Sequence, residues 1–357
     1  MRLKSLKARN FRNLERVELE TDAPFVVFHG PNAQGKTNLL EAVYILSTLK
    51  SFRARRNKEL IRWGEDEAQV DGVVDDGILS REFSLKVDSK GRSGSVDGKP
   101  PRQLSRYFEG IRAVLFRPED TDIVREGPDI RRKFVDRAAF TASATFLELA
   151  MAFKRLLSQK AALLRQPPVD PVSLEVFDEQ LARAGARMVE RRLRIVEELK
   201  EPFVELHGRI SGHGDARLSY RTQLDVQDLE ASYAQLLADA RRDEIRRGMN
   251  LVGPQRDDLV LQLDGRPARA YASQGQTRSL VLALKLAELL AARERGARPL
   301  FLLDDLSSEL DRFRTGRLVE LLEELELQVL VTTTDPSVLD GASELLRYRI
   351  DGGTVEA

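Results

Sequence analysis

Cysteine is absent from all 357 residues, so neither a disulfide framework nor a thiolate metal site is open to this chain. Histidine is nearly absent. His29, His207 and His213 are too scattered to suggest a shared metal ion. An excess of one charge is also missing, since 57 basic residues balance 57 acidic ones, and bulk charge therefore points to no polyanionic partner. No apolar run approaches the ~20 residues that cross a bilayer. The opening MRLKSLKARNF lacks the apolar core of a signal peptide, so a cytoplasmic chain with no membrane partner is expected. What is present, 42% hydrophobic and 32% charged residues, suits a globular protein. The length allows two domains, or one domain with a large insertion.

Residues 30–37 read GPNAQGKT, which fits the phosphate-binding loop pattern G-x-x-x-x-G-K-[ST]. The flanks supply its context. Phe25, Val26, Val27 and Phe28 form an apolar strand before it, and Leu39, Leu40, Val43, Leu46 and Leu49 recur at helical spacing after it. Backbone N–H groups of such a loop, with the helix N-terminus behind them, wrap phosphates. Lys36 is expected to reach the β- and γ-phosphates of ATP, and the Thr37 hydroxyl to hold Mg²⁺.

The first twenty residues read as two strands joined by the RNFRN turn, and 68–96 as a β-meander turning at glycines. Residues 111–116 (IRAVLF) close this region as a strand. From about 129 to 247 the pattern is mostly helical. Residues 146–165 are amphipathic, prolines 167, 168 and 171 break the chain, and a longer helix follows that Pro202 is expected to end or kink. Two amphipathic helices around a proline turn suggest a short antiparallel arm. Strand patterns return at 259–263, with a hairpin signal at Asp264-Gly265, then at 300–303 and 328–332; helices are expected at 276–293 and 314–326. The resulting expectation is an α/β head formed by 1–118 and 250–357, with a largely helical insertion over 119–249.

The strand Leu300–Leu303 ends in Asp304 and Asp305, the Walker B pattern of P-loop hydrolases. Asp304 would anchor Mg²⁺ and Asp305 would polarise the attacking water. Two adjacent acids at an apolar strand end repel each other and lose solvation, a cost that a cation offsets. About thirty residues earlier, SQGQ (273–276) precedes the long helix, and Ser273, Gly275 and Gln276 would offer an anion site at its N-terminus. Ser308-Glu309-Leu310-Asp311 follows Walker B directly. P-loop, small-Q-G-Q, apolar-Asp-Asp and S-E-L-D, in that order, describe an ABC-type ATPase. In that class the signature of one subunit completes the ATP site of another, so one P-loop and one signature call for a two-fold homodimer.

Several further segments, LKARNFRNLERVEL, LKSFRARRNKELI, LFRPEDTDIVREGPDIRRKFVD, GPQRDDLVLQL and VLVTTTD, join these motifs. Together they resemble the RecF family of bacterial recombination mediators, which are SMC-like ABC-type ATPases. The resemblance implies nucleotide contacts at Gly30, Asn32, Gly35, Lys36, Thr37 and Asn38. It places Arg12 and Asn13 near the adenine, adds Asp311 to the nucleotide-binding residues, and puts a threonine of 332–334, taken as Thr333, on the γ-phosphate side. It implies binding to double-stranded DNA beside single-strand gaps, slow DNA-stimulated ATP hydrolysis, and RecR with RecO as partners in loading the recombinase. Gln255 departs from the GPHRDD form of many members.

Residues 50–62 carry six basic residues against one acid, and so do residues 1–16. Such stripes neutralise DNA phosphates or simply solvate a surface. Arg53, Arg55, Arg56 and Lys58 are the candidate DNA contacts. Other readings stay open at this level. A double-strand-break repair head would need far more coiled coil than 119–249 offers. A transporter subunit would carry a fuller signature than SQGQ. A DNA scaffold that binds ATP without turnover needs the same site.

Overall fold

The computed structural model describes residues 1–166, 168–306, 312–342 and 344–356, and the chain divides into two compact units. The first contains Met1–Thr121, Leu206–His213 and Ser273–Ala357. Its N-terminal part is an antiparallel sheet of β1 (Arg2–Phe11), β2 (Leu14–Glu20), β4 (Glu67–Asp75), β5 (Ser80–Asp88) and β6 (Arg92–Val96), in the order β2-β1-β4-β5-β6. The expected hairpin and meander are therefore one sheet. Burial alternates along β4, as one-sided packing requires.

The second sheet of this unit is mainly parallel, in the order β14-β13-β3-β12-β11-β7. Its strands are β3 (Phe25–His29), β7 (Ala113–Phe116), β11 (Leu300–Leu303), β12 (Val329–Thr333), β13 (Leu345–Asp351) and β14 (Thr354–Glu356). β7, β11 and β12 are buried at every position, which explains why they read as unbroken apolar runs rather than alternation. Among the described residues the helices of this unit include α1 (Lys36–Thr48), α2 (Leu104–Gly110), α9 (Gln274–Glu294) and α10 (Arg312–Glu324). Register aligns Leu303 with Phe116 and with Val331, and Thr333 with His29. The carboxyl ends of four strands thus lie side by side, the place where open α/β sheets bind ligands.

The two sheets are tied by one buried amide. Gln328 Oε1 accepts from the Leu3 N–H at 2.6 Å, and Nε2 donates to the carbonyls of Leu3 at 3.0 Å and Ala23 at 3.1 Å. Gln328 immediately precedes β12, so this contact sets the antiparallel sheet against the strand that carries Thr332.

The second unit, Asp122–Glu205 with Gly214–Ala272, holds α3 (Asp122–Arg125), α4 (Pro128–Ala142), α5 (Phe146–Leu164), most of α6 (Pro171–Ser211), α7 (Leu229–Arg247) and α8 (Ala268–Tyr271). It also has a three-stranded antiparallel sheet, in which β9 (Asp258–Leu263) lies between β8 (Ala216–Arg221) and β10 (Arg266–Pro267). α5 and α6 run antiparallel. Lys160 pairs with Asp178 at 2.6 Å, while Phe153 lies 3.3 Å from where a Cβ on Gly185 would stand.

Three differences from the sequence expectations have physical causes. α6 continues through Pro202 to Ser211, because the apolar stripe of Leu199, Phe203, Leu206 and Ile210 is buried on both sides of the proline. β8 lies inside the region that reads as helical. Residues 250–272 cluster with the second unit and not with the first, because β9 pairs along its length with β8. The GPQRDD frame is anchored there as well. Arg192 donates to the Pro254 carbonyl at 2.7 Å, Tyr220 Oη to Asp257 at 2.7 Å, and Arg131 to both oxygens of Asp258 at 2.7 and 3.0 Å. Gly253 holds a φ of 114°, and a Cβ there would stand 2.2 Å from Tyr233 Oη, so glycine is required.

Gln328→Leu keeps the volume and removes the polar partners that this side chain supplies between the sheets, while Tyr348 Oη of β13 still donates to the Glu20 carbonyl of β2 at 2.6 Å. Stranding the Leu3 N–H and the carbonyls it serves is expected to cost about 2–4 kcal/mol, read as a lower urea midpoint with an unchanged m-value. An unchanged midpoint would show that the Gln328 amide does not hold the two sheets together.

Candidate active site

The loop between β3 and α1 begins at Gly30, whose φ is 144° and where a Cβ would stand 2.4 Å from the Ile350 carbonyl oxygen. Only glycine lets the loop pass so close to β13. Lys36 Nζ lies back across this loop and donates to the carbonyls of Gly30 and Pro31, both at 2.7 Å. Burial lowers its pKa, and the charges of Asp305 and Asp304 act in the opposite direction.

Thr37 Oγ1 donates to Asp304 Oδ1 at 2.8 Å, and Thr332 Oγ1 donates to the same oxygen at 2.7 Å. The Thr332 hydroxyl oxygen also accepts the Asp305 N–H at 2.8 Å. P-loop, Walker B end and β12 are therefore joined at one carboxylate. Burial raises the Asp304 pKa, the two threonine bonds oppose the shift, and the Asp305 charge adds to it. Asp305 itself sits at φ 54°, in the left-handed region, at the turn where the chain leaves β11.

A cavity of about 450 Å³ opens over these groups. Of the expected nucleotide set, Asn32, Gly35, Lys36, Thr37, Asn38, Asp304 and Asp305 border it. So do Phe52, Arg117 and Glu119, which the motifs did not single out for this site, and Thr332, one of the three threonines of the VLVTTTD segment. Arg117 lies over the Phe52 ring at 5.5 Å, and that ring meets Tyr44 edge-on. The signal for Phe52 is its place between α1 and the basic run, within the LKSFRARRNKELI segment.

Other expected residues fall elsewhere. Thr333 does not border the cavity. Its hydroxyl is turned to Asp335, accepting the N–H and donating to the carbonyl, both at 3.1 Å, because adjacent residues of β12 face opposite sides. Thr332 takes the position expected of Thr333. Arg53, expected on a DNA surface, borders the cavity and donates to Asn38 Oδ1 at 3.0 Å. Arg55, Arg56 and Lys58 are exposed.

Arg12 makes a two-pronged bond to Glu41, both contacts at 2.9 Å, with the carboxylate fully buried in α1. Asn13 accepts from Asn38 at 2.7 Å and donates to the Gln34 carbonyl at 3.1 Å. The β1–β2 turn is thus strapped to the phosphate loop and its helix. Ser273 and Gln276 form a reciprocal cap on α9, at 3.3 and 2.8 Å. Neither they nor Gly275 border the cavity of their own chain. Asp311 lies outside the described residues.

The donor set fits Mg²⁺. A threonine hydroxyl and a carboxylate 2.8 Å apart are hard oxygen ligands, and among the described residues no cluster of three acids or histidines offers a fuller cage. Magnesium is commonly held in this way, by one or two protein oxygens with phosphates and water completing the shell.

The RecF/RecN/SMC N terminal domain model matches residues 2–356. The DNA replication and repair protein RecF of Geobacter sulfurreducens is 39% identical over 364 residues, covering 99% of both chains. The protein of that name from an Anaeromyxobacter species is 43% identical over 368 residues, again 99% of both. The chain belongs to the RecF family. The fold agrees: the solved structure of a recombination mediator RecF with ATP, described as part of the RecFOR pathway, superposes with a TM-score of 0.90 at 30% identity, over 99% of this chain and 97% of that one. An Smc head domain from Pyrococcus furiosus gives 0.61 at 16% identity over 99% of this chain and 95% of that one, a likeness of fold alone. The ABC-type α/β head of the RecF family, with its N-terminal antiparallel sheet and helical region, is therefore the architecture of this chain.

The raised pKa of Asp304 sets the sign of a pH effect. The folded chain binds this proton more tightly than the unfolded chain does. The stability Asp304 contributes is therefore full below the ordinary aspartate range and is lost as pH rises through the raised value. Asp304→Asn, which keeps an acceptor for both threonines, is expected to melt a few degrees higher than the native chain at neutral pH without nucleotide. The gap should close below about pH 4. Melting curves across that range check this, and a gap independent of pH would contradict it.

Proposed function

We propose that the chain is an ATP-dependent, DNA-binding recombination mediator that works as a homodimer. The observation that carries this is the meeting of Lys36, Thr37, Asp304 and Asp305 at one cavity, within a chain that matches RecF proteins from end to end. ATP enters over the phosphate loop, and Lys36 exchanges the Gly30 and Pro31 carbonyls for phosphate oxygens. Thr37 and Asp304 hold Mg²⁺, which neutralises charge on the β- and γ-phosphates. Asp305 orients the attacking water and polarises its O–H. The new bond joins that oxygen to the γ-phosphorus as the β–γ bridging oxygen leaves with ADP.

The second half of the site comes from another copy. Ser273 uses its oxygen to cap α9 and keeps its proton for donation, while the remaining N–H groups of that helix start face outward from the cap. Two nucleotides sandwiched between two copies would act as glue, because ATP contacts both phosphate loop and signature only in the dimer. The closed dimer embraces duplex DNA beside a single-strand gap, and slow hydrolysis, stimulated by DNA, releases it. RecR, with RecO, then assists in loading the recombinase. Arg55, Arg56 and Lys58 are exposed beside the cavity residue Arg53 and form the proposed DNA-facing edge.

Two tests address separate parts of this reading. Asp305→Asn is expected to slow ATP turnover by about a hundredfold or more and to be a dimer in Mg-ATP but a monomer in Mg-ADP, measured by phosphate release and light scattering. Turnover at the native rate would remove Asp305 from the water-orienting role, and a monomer in both nucleotides, with gapped duplex present, would overturn the sandwich. Replacing Arg55, Arg56 and Lys58 by alanine should weaken duplex binding alike for all sequences and lower the salt slope by about three. Unchanged anisotropy titrations would move the DNA surface elsewhere.

A further inference from the structure

A larger cavity, of about 670 Å³, lies in the same unit and shares no residue with the site above. It is built where β6, the edge strand of the antiparallel sheet, turns back at Asp97-Gly98 and leads through Pro100-Pro101 into α2. Four cations border it: Arg81, Lys99, Arg102 and Arg106. All are exposed, and among the described residues none makes an ion pair or a side-chain hydrogen bond; Arg81 senses the Asp76 charge from a distance. The single acid of the lining, Asp97, is already engaged, accepting the Glu82 N–H at 3.0 Å. Four cations facing one concavity with a single acid among them repel one another, a cost that a bound polyanion removes.

A second observation points the same way. Tyr107 borders the cavity and is fully buried, yet its hydroxyl has no hydrogen-bond partner. Its ring is fixed by edge-on contacts with Phe83 and Phe108, at 5.3 and 5.4 Å between centroids. A buried hydroxyl without a partner is costly, and phenylalanine would fill the same space without that cost. The hydroxyl is an unpartnered O–H donor on a residue that lines the same cavity as the four cations.

We propose that this cavity is a second anion site, separate from the phosphate loop, that takes a ligand carrying two or more phosphates through Arg81, Lys99, Arg102, Arg106 and the Tyr107 hydroxyl. Arginine forks suit phosphate oxygens. The phosphates belong either to a nucleic-acid strand or to a free polyphosphate; the first source rests on the DNA-binding reading, and the second does not.

Two variants of the full chain test it, both with Mg-ATP saturating the phosphate loop: Tyr107→Phe, and Arg102→Ala with Arg106→Ala. Circular dichroism establishes that each is folded. The probes are a labelled gapped duplex, read by anisotropy, and sodium tripolyphosphate, read by calorimetry. If the source is a strand, the double variant should bind duplex about tenfold more weakly with a salt slope lower by about two, and Tyr107→Phe several-fold more weakly, while ATP turnover without DNA is unchanged. If the source is free, the native chain should take up one tripolyphosphate beyond the ATP site, and both variants should lose it. Tyr107→Phe should also melt higher than the native chain without either probe. Native binding of both probes by both variants overturns the site and leaves the proposed function standing. A native chain that ignores duplex in every nucleotide state overturns the DNA reading, and the tripolyphosphate arm still decides the cavity.

Discussion

One buried carboxylate organises the first unit. Asp304 Oδ1 receives hydroxyls from Thr37 on the phosphate-loop helix and from Thr332 on β12, and its own N–H bonds to the Phe116 carbonyl of β7. The Walker B end thus meets α1, which lies 267 residues away in the chain, and β12, which lies 28 away. Burial works against the charge on this group, and the threonine hydrogen bonds offset part of that cost. The rest of the sheet then has to deliver these partners in register. Parallel pairing of β7, β11, β12 and β3 does so, with β7 and β11 ending opposite Val331, one residue before Thr332.

The neighbourhood of the phosphate loop is held by a second layer of bonds that are not themselves part of the chemistry. Glu41, buried in α1, takes both prongs of Arg12 and the hydroxyl of Ser51. Asn13 reaches Gln34 and Asn38. The N-terminal hairpin is thereby tied to both ends of the loop, and Gln328 ties its other end to β12. A rigid loop whose N–H groups are fixed before ATP arrives has less ordering to undergo on binding. The capped start of α9 has a different character: its Ser273 is exposed, and it does not border the phosphate-loop cavity of its own chain.

The cavity at the phosphate loop and the cavity at β6 differ in how their charges are balanced. At the phosphate loop, Lys36 faces Asp304 and Asp305, so the site is close to neutral before nucleotide and metal enter together. At the edge of the antiparallel sheet, four cations face one acid that the backbone already occupies. The first arrangement suits a metal–phosphate complex and the second suits a bare polyanion.

Local pattern in the sequence was enough to determine the phosphate loop and its helix, the apolar strands at 111–116, 300–303 and 328–332 to within a residue or two, the Walker B acids and the capped α9. Each of these is fixed by neighbours a few residues away: strand periodicity, glycine spacing or a capping box. It could not determine that Thr332 and not Thr333 meets Asp304, because that depends on which face of β12 looks toward β11. Nor could it place Arg53 at the nucleotide cavity, find β8 and β13 among charged residues, or assign 250–272 to the second unit. Those outcomes depend on pairing between distant strands, and a half-buried strand such as β13, with arginines alternating among its apolar residues, has no local signature strong enough to announce its partner. The tertiary structure alone also gathered Arg81, Lys99, Arg102, Arg106 and Tyr107 around one cavity, because only the turn at Asp97-Gly98 and the pairing of β5 with β6 bring those positions together.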